Sequence, residues 1–352
     1  MRGLLEALLD WLDERLDLRH WLDVAKKKQV PVHPGSVFYY AGGVCVFLFM
    51  VQLVTGILLL MYYRVGADSS YESVRYISSK VAFGWLVRSV HSWGANLMIF
   101  FVFVHMFSVF FMRAFRKPRE LTWMSGCVLL GVSLAFGFSG YLLPWNELAY
   151  FATKVGTDII GQVPLAGHWL LRLVRGGEDV TGATLSRFFG LHVVVLPAVL
   201  SLTMGAHLGF VQLQGMAHEK EAKATMPFFP NFMLRDVMLW LVVINAVAVL
   251  AVFFPWDVGK KADALASAPA GIKPEWYFLA QYQFLKLLPA RILLIPGELW
   301  GVLTLNAVGL FWLLTPFWEA ALPESKKDAA VRLAGWGSVA LLVAMTLWGA
   351  LS

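Results

Sequence analysis

Of the 8 histidines in this 352-residue chain, four fall within long apolar stretches: His91, His105, His192 and His207. The others, His20, His33, His168 and His218, lie in arms and loops and are assigned no role. A single buried histidine is usually a hydrogen-bonded core residue. Four at matching depth point elsewhere, because ionisable groups in apolar stretches need partners and neutral imidazole is a ready metal ligand. His91 and His105 are 14 residues apart, and His192 and His207 are 15 apart. On a helix that separates each pair by about 21–22 Å, with both rings within about 60° of one face. If the two helices run in the same direction, His91 is level with His192 and His105 with His207. A bare metal ion would gather its ligands at one depth. Two opposed imidazoles per site suit the iron of a haem, and with both axial positions filled such a group carries electrons.

Two further helices must complete such a cage. Gly42 and Gly56 are 14 residues apart, as are Gly126 and Gly140. On helices without histidines, this repeat removes side chains where a macrocycle edge would press in, although small residues also let membrane helices pack closely. Arg88, one turn before His91, is the expected partner of a haem propionate.

The composition requires a membrane. The chain is 59% hydrophobic and 15% charged, with mean hydropathy +0.65, whereas soluble domains carry about 25% charged residues. This excludes a soluble enzyme, a disordered regulator and a nucleic-acid-binding module. The net charge of +6 comes from basic runs between apolar stretches, as in membrane loops. Cys45 and Cys127 lie inside apolar stretches and form no disulfide framework or haem-attachment motif. Residues 3–22 alternate apolar and charged side chains at helical spacing. They read as a membrane-surface helix rather than a secretory signal.

Seven stretches are long enough to span, roughly 36–63, 85–112, 121–145, 188–213, 237–256, 299–318 and 333–352. The predicted fold is an all-α integral membrane protein. An N-terminal four-helix di-haem domain, residues 1–213, precedes a three-helix part, residues 214–352. The N-terminal arm with Lys26–Lys28 and the short loop bearing Arg113, Arg116, Lys117 and Arg119 place their side in the cytoplasm by the positive-inside tendency. On the opposite side, loops 146–187 and 257–298 contain broken apolar runs. They read as short surface helices that frame a pocket.

The chain resembles the cytochrome b family of the bc1 and b6f complexes almost end to end. The resemblance rests on the stretch Phe83 to Trp93, on Lys117-Pro118-Arg119-Glu120-Leu121-Thr122-Trp123, on Gly140-Tyr141-Leu142-Leu143-Pro144-Trp145 and on Leu185 to His192. The most diagnostic run is Pro274-Glu275-Trp276-Tyr277, similar to the tetrapeptide lining the family's quinol-oxidation pocket. An interfacial aromatic anchor would account for Trp276 and Tyr277 but not for Glu275. The likeness is mixed: the 15-residue histidine spacing is b6-like, yet one chain carries what b6 types divide between two subunits. Tyr40 stands where b6 types have the cysteine that tethers a third haem, so that haem lacks its tether; Cys45 faces elsewhere on the helix. Ser108 and Gln212 stand at two positions that are basic in b6, and Arg235-Asp236 resembles the quinone-reduction pair of bc1 types.

The resemblance implies two b haems, on His91/His192 and His105/His207, and a quinol oxidoreductase working with a Rieske-type iron–sulfur protein and a c-type cytochrome, as a homodimer in an energy-transducing membrane. Glu275 would accept a proton and Tyr277 position the quinol at the outer face. Asp236 would donate protons and Arg235 steady the developing anion at the inner face. Two other readings remain: a di-haem anchor conducting electrons for a dehydrogenase or hydrogenase, and a transporter using buried histidines as proton relays. The first leaves the Pro274–Tyr277 run and the two long loops unexplained. The second predicts charged residues in several spans.

Overall fold

The computed structural model describes residues 2–217 and 223–352; His218 lies outside the described residues. The chain opens with α1 (Arg2–Leu16) and α2 (Leu18–Lys27), so the surface segment expected over 3–22 is two helices. Asp17, with φ of 51°, makes the break in a left-handed conformation that a non-glycine residue rarely adopts. A short strand β1 (Gln29–Val32) leads to α3 (Tyr40–Leu60), α4 (Ser70–Ser79), α5 (Gly84–Phe111) and α6 (Glu120–Leu142). The loop helices α7 (Glu147–Gly161), α8 (Gly167–Arg175) and α9 (Gly182–Gly190) follow. Next come a π-helical turn, Leu191–Val195, α10 (Leu196–Gln214), β2 (Ala224–Pro227) and α11 (Met233–Phe253). The chain finishes with α12 (Trp276–Leu287), α13 (Gly297–Leu313), α14 (Thr315–Ala320) and α15 (Glu324–Leu351).

Six helical stretches are long and apolar enough to cross a membrane: Ser36–Leu60, Gly84–Phe111, Glu120–Leu142, Gly182–Gln214, Phe228–Phe253 and Glu324–Leu351. Of the seven expected spans, the one over 299–318 differs. It is α13, 17 residues long, or about 26 Å against the roughly 30 Å of a hydrocarbon core. Pro316 in the first turn of α14 prevents simple continuation, because proline lacks the donor and clashes with the preceding turn. Among the described residues, length alone therefore supports six spans and one shorter apolar helix. No more than 28% of any of the six windows is buried inside the chain. Most of their apolar surface is left for lipid or neighbouring chains.

α3 packs along α5, and α6 along α10, while α11 leans on both α3 and α5. Between them Val44, Leu48, Phe49, Met98, Leu200, Val243 and Val247 are buried in one cluster. Met98 is midway between His91 and His105, and Leu200 midway between His192 and His207, so this cluster separates the two histidine layers.

The 15-residue spacing is absorbed by the π-helical turn. Leu196 N–H reaches back five residues to the carbonyl of Leu191, and such a turn inserts about one residue into an α-helix. The distance from His192 to His207 thus acts like the 14-residue spacing in α5. Pro197, which has no N–H to offer the carbonyl of Val193, explains why the bulge falls there.

β1 pairs antiparallel with β2, Gln29 opposite Pro227 and Val32 opposite Ala224, with Val30 wholly buried. This ladder ties the N-terminal arm to the segment before α11. It was not foreseen from sequence, since four-residue strands carry almost no periodic signal. At the other end of the bundle the long loops join. Lys261 bridges to Asn146, Glu147 N–H donates to Lys260 O at 2.8 Å, and Ala262 N–H donates to Trp145 O at 3.1 Å. Asn146 also caps α7, its side chain accepting from Ala149 N–H at 2.9 Å.

Candidate cofactor cage and outer pocket

The four histidines form two pairs near opposite ends of the bundle. The rings of His91 and His192 have centroids 6.4 Å apart. Two metal–imidazole bonds of about 2 Å plus two half-rings come to roughly 6 Å, so an iron fits between them. His105 and His207, which face Gly42 and Gly126, form the second pair. Among the described residues no group of three or more His, Cys, Asp or Glu side chains converges. A bare metal ion would therefore lack a full ligand set here.

Each predicted glycine faces one histidine. A methyl group on Gly42 would meet His105 Cε1 at 3.1 Å, and one on Gly56 would meet His91 Cε1 at 3.4 Å. The corresponding distances are 3.3 Å from Gly126 to His207 and 2.6 Å from Gly140 to His192. A methyl at Gly140 would collide with its imidazole, those at Gly42 and Gly126 would crowd theirs, and one at Gly56 would just touch. This fourfold pairing fits a flat cofactor edge between helices.

Three imidazoles are also oriented by hydroxyls. Thr55 Oγ1 is 2.8 Å from His91 Nδ1, Ser125 Oγ is 2.9 Å from His207 Nδ1, and Ser139 Oγ is 3.1 Å from His192 Nδ1. Each hydroxyl donates its one hydrogen to a helix carbonyl: Val51, Thr122 and Phe136 respectively. Its oxygen must then accept from Nδ1–H, which leaves Nε2 as the ligating atom. His105 Nδ1 is buried without a partner. The hydroxyls were missed from sequence, although a signal was present: each residue immediately precedes one of the paired glycines.

Arg88 lies near the His91 layer, but its guanidinium is engaged with the end of α11. It donates to Trp256 O and, at 3.5 Å, to Asp257 O. Trp93 Nε1 adds a bond to Phe254 O at 2.8 Å. In this structure these contacts join α5 to the segment that follows α11, and they leave Arg88 beside the His91 layer.

A cavity of about 1070 Å³ opens between α6, α7, α12 and the segment before α12, somewhat above the usual range for small-molecule pockets. Pro274, Glu275 and Tyr277 line it, with Tyr141 and Phe138 of α6 opposite. Gly137 makes room for the Tyr277 ring, a methyl there lying 2.6 Å from the hydroxyl. Trp276 points away from the cavity and donates from Nε1 to Asn96 Oδ1 of α5 at 2.7 Å, holding the start of α12 against the bundle. Burial pushes the Glu275 carboxyl above its ordinary range. Burial also raises the Tyr277 phenol, with the nearby Glu275 and Tyr141 adding to it, so Tyr277 stays a hydrogen-bond donor. Behind the cavity, buried Arg175 donates to Thr157 Oγ1, Lys154 O, Glu178 O and Asp158 Oδ1 at 2.7–2.8 Å, fastening α7 to α8.

At the opposite end Asp236 packs against Gly43 of α3, with Oδ1 buried and without a partner. Arg235, next to it on α11, is exposed. Tyr40 stacks on Phe232, centroids 4.5 Å apart, and fills the place where a tethering cysteine would stand. Lys28 brings an ammonium 2.7 Å from Gln212 Oε1, which supplies from the β1 arm a charge near one of the positions that is basic in b6 types.

Fold and site together define an integral membrane protein with two facing pairs of buried histidines and a separate pocket. Residues 26–215 match the family model "Cytochrome b/b6/petB", and residues 261–352 match "Cytochrome b(C-terminal)/b6/petD". The chain is 46% identical, over 97% of its length and 80% of the relative's, to a cytochrome bc complex cytochrome b subunit of Chlorobaculum thiosulfatiphilum. It is 40% identical to a cytochrome b6 of Synechococcus sp. (strain JA-3-3Ab) over 60% of this chain and 99% of that one. A solved structure titled hyperthermophilic respiratory Complex III superposes with TM-score 0.79 at 27% identity, covering 96% of this chain and 97% of the other. The chain belongs to the cytochrome b family, whose members carry haem of the b type and sit in energy-transducing membranes.

Proposed function

We propose that this chain is the cytochrome b subunit of a bc-type quinol oxidoreductase, holding two b haems on His91/His192 and His105/His207. The reading is carried by the fourfold geometry in which every candidate ligand faces a glycine of a neighbouring helix. Bound there, haem would supply reversible one-electron transfer. Quinol occupies the cavity between α6, α7 and α12. It gives up two electrons and two protons, one electron leaving for an iron–sulfur partner and then a c-type cytochrome, the other crossing the bundle to a quinone at the inner face.

The chain's own residues hold the substrate and manage the protons. Tyr277 donates a hydrogen bond to a quinol oxygen, and the neighbouring Glu275 carboxylate accepts a proton, its raised pKa bringing it closer to the working pH. Trp276, tied to Asn96, fixes where α12 begins and so where Glu275 stands. At the inner face Asp236, one of whose carboxyl oxygens is buried without a hydrogen-bond partner, is the proton donor, and Arg235 would steady the developing anion. Transfer between the two histidine pairs would cover part of a full crossing, which costs one electron about 2.3 kcal/mol per 100 mV. The names of the relatives support the iron–sulfur and c-type partners, and a homodimer is proposed with them.

The test is a reduced-minus-oxidised spectrum of the purified chain, with and without an outer-site quinol inhibitor. Two b-type components, with quinol reduction of one blocked by the inhibitor, are expected. Absence of a b-type signal removes the haems. A signal indifferent to the inhibitor favours the di-haem anchor.

A further inference from the structure

The hydroxyl–glycine pattern has one gap. Thr55-Gly56, Ser125-Gly126 and Ser139-Gly140 each place a hydroxyl on the Nδ1 of the histidine that the glycine faces. The fourth dipeptide is Ala41-Gly42. Gly42 faces His105 as the others face theirs, but Ala41 has no hydroxyl. His105 is correspondingly the one ligand of the four whose Nδ1 is buried with no partner. The outer cage thus has two hydroxyl acceptors and the inner cage one.

An acceptor on Nδ1–H makes an imidazole more basic and a stronger donor to iron. Stronger donation favours the ferric state and lowers the reduction potential, and such hydrogen bonding is one of the protein's levers on haem. We infer that Ala41 is a potential-setting residue: by withholding the acceptor from His105, it holds the inner haem above the midpoint that a serine at this position would impose. The difference between the cages then favours an electron at the inner site and assists transfer away from the quinol pocket. This rests on the bis-histidine reading above.

The test is an optical redox titration of the b-band in the purified full chain and its variants. The unaltered chain should show two components; if it does not, the haem reading fails, and the inference with it. Given two components, Ala41→Ser should shift one downward and leave the other in place, with the absorption band still that of bis-imidazole ligation. Ser125→Ala should shift that same component upward, and Thr55→Ala should shift the other upward. Opposite signs from gaining and losing a hydroxyl at one cage are not produced by general loosening. The inference is overturned if Ala41→Ser leaves both midpoints unchanged, raises either, or moves the component that Thr55→Ala moves. Should Ala41→Ser fail to assemble, Ser125→Ala decides by itself: an upward shift confined to one component supports the inference, and no shift overturns it.

Discussion

His207 offers its ring to one cage only, so His207→Leu is expected to remove one b haem and leave the other, halving the pyridine-haemochrome yield per chain. Retention of both would break the pairing of His105 with His207. Glu275 carries a pH signature. Burial raises its pKa, so the ionised base is depleted at pH values where an ordinary carboxylate is still charged. Quinol oxidation should therefore rise with pH through that raised value, and Glu275→Gln should slow the reaction and flatten this acid limb without altering the haem spectrum. The stability linkage follows from the same shift. The folded state binds the proton more tightly than the unfolded, so this group's contribution is greatest at low pH and is lost as pH rises from the unfolded pKa through the folded one.

Elements act through register and anchorage. The π-helical turn at Leu191–Val195 is what lets a 15-residue spacing present two rings to one side. Pro197→Ala restores the missing donor and should let the turn relax towards α-helix, which rotates His192 by up to about 100° relative to His207. Loss of haem from the His91/His192 cage is expected, read as a lower haem-to-protein ratio with the other component intact. Arg175 holds the wall of the outer pocket through α7 and α8. Arg175→Met leaves several buried acceptors unpaired and should cost roughly 2–4 kcal/mol, at about 1–3 kcal/mol for each such group. Thermal unfolding of the detergent-solubilised protein would measure the cost. The loop helices themselves were legible as broken apolar runs, but the arginine that braces them was not, because a lone basic residue in a loop has the same appearance in sequence as a solvated one.

Across the whole molecule, ion pairs join the two parts of the chain: Arg113 to Asp328 at 2.6 Å, Glu72 to Lys261 at 3.7 Å, and the more deeply buried Arg116 to Glu319. Glu319 of α14 is 3% exposed and accepts from Arg116, in the link between α5 and α6, at Nε (2.9 Å) and Nη2. Trp123 Nε1 donates to Trp312 O at 2.7 Å close by, within a cluster of Phe110, Phe115, Trp123 and Val331. Arg116→Gln strands a buried carboxylate. Because Arg116 is 37% exposed, the expected loss is about 2–3 kcal/mol, under the 3–5 kcal/mol of a fully buried pair. The loss should appear as easier separation of α13–α15 in limited proteolysis. If Arg116→Gln and the unaltered chain are cleaved at the same rate, the pair does not hold the halves together.

From sequence alone came the membrane setting, the four histidines with the glycines that face them, the run Pro274–Tyr277 beside the pocket, and the family. These depend on residue type and on spacing along a regular helix, both of which are local. Only the tertiary structure decided which hydroxyl meets which imidazole, that Arg88 reaches the segment after α11, that Asp236 packs against Gly43, and that a four-residue strand pairs with another nearly two hundred residues away. Those outcomes are set by how helices rotate and lean against one another, and a rotation of a few tens of degrees leaves no mark on the spacing of residues along the chain.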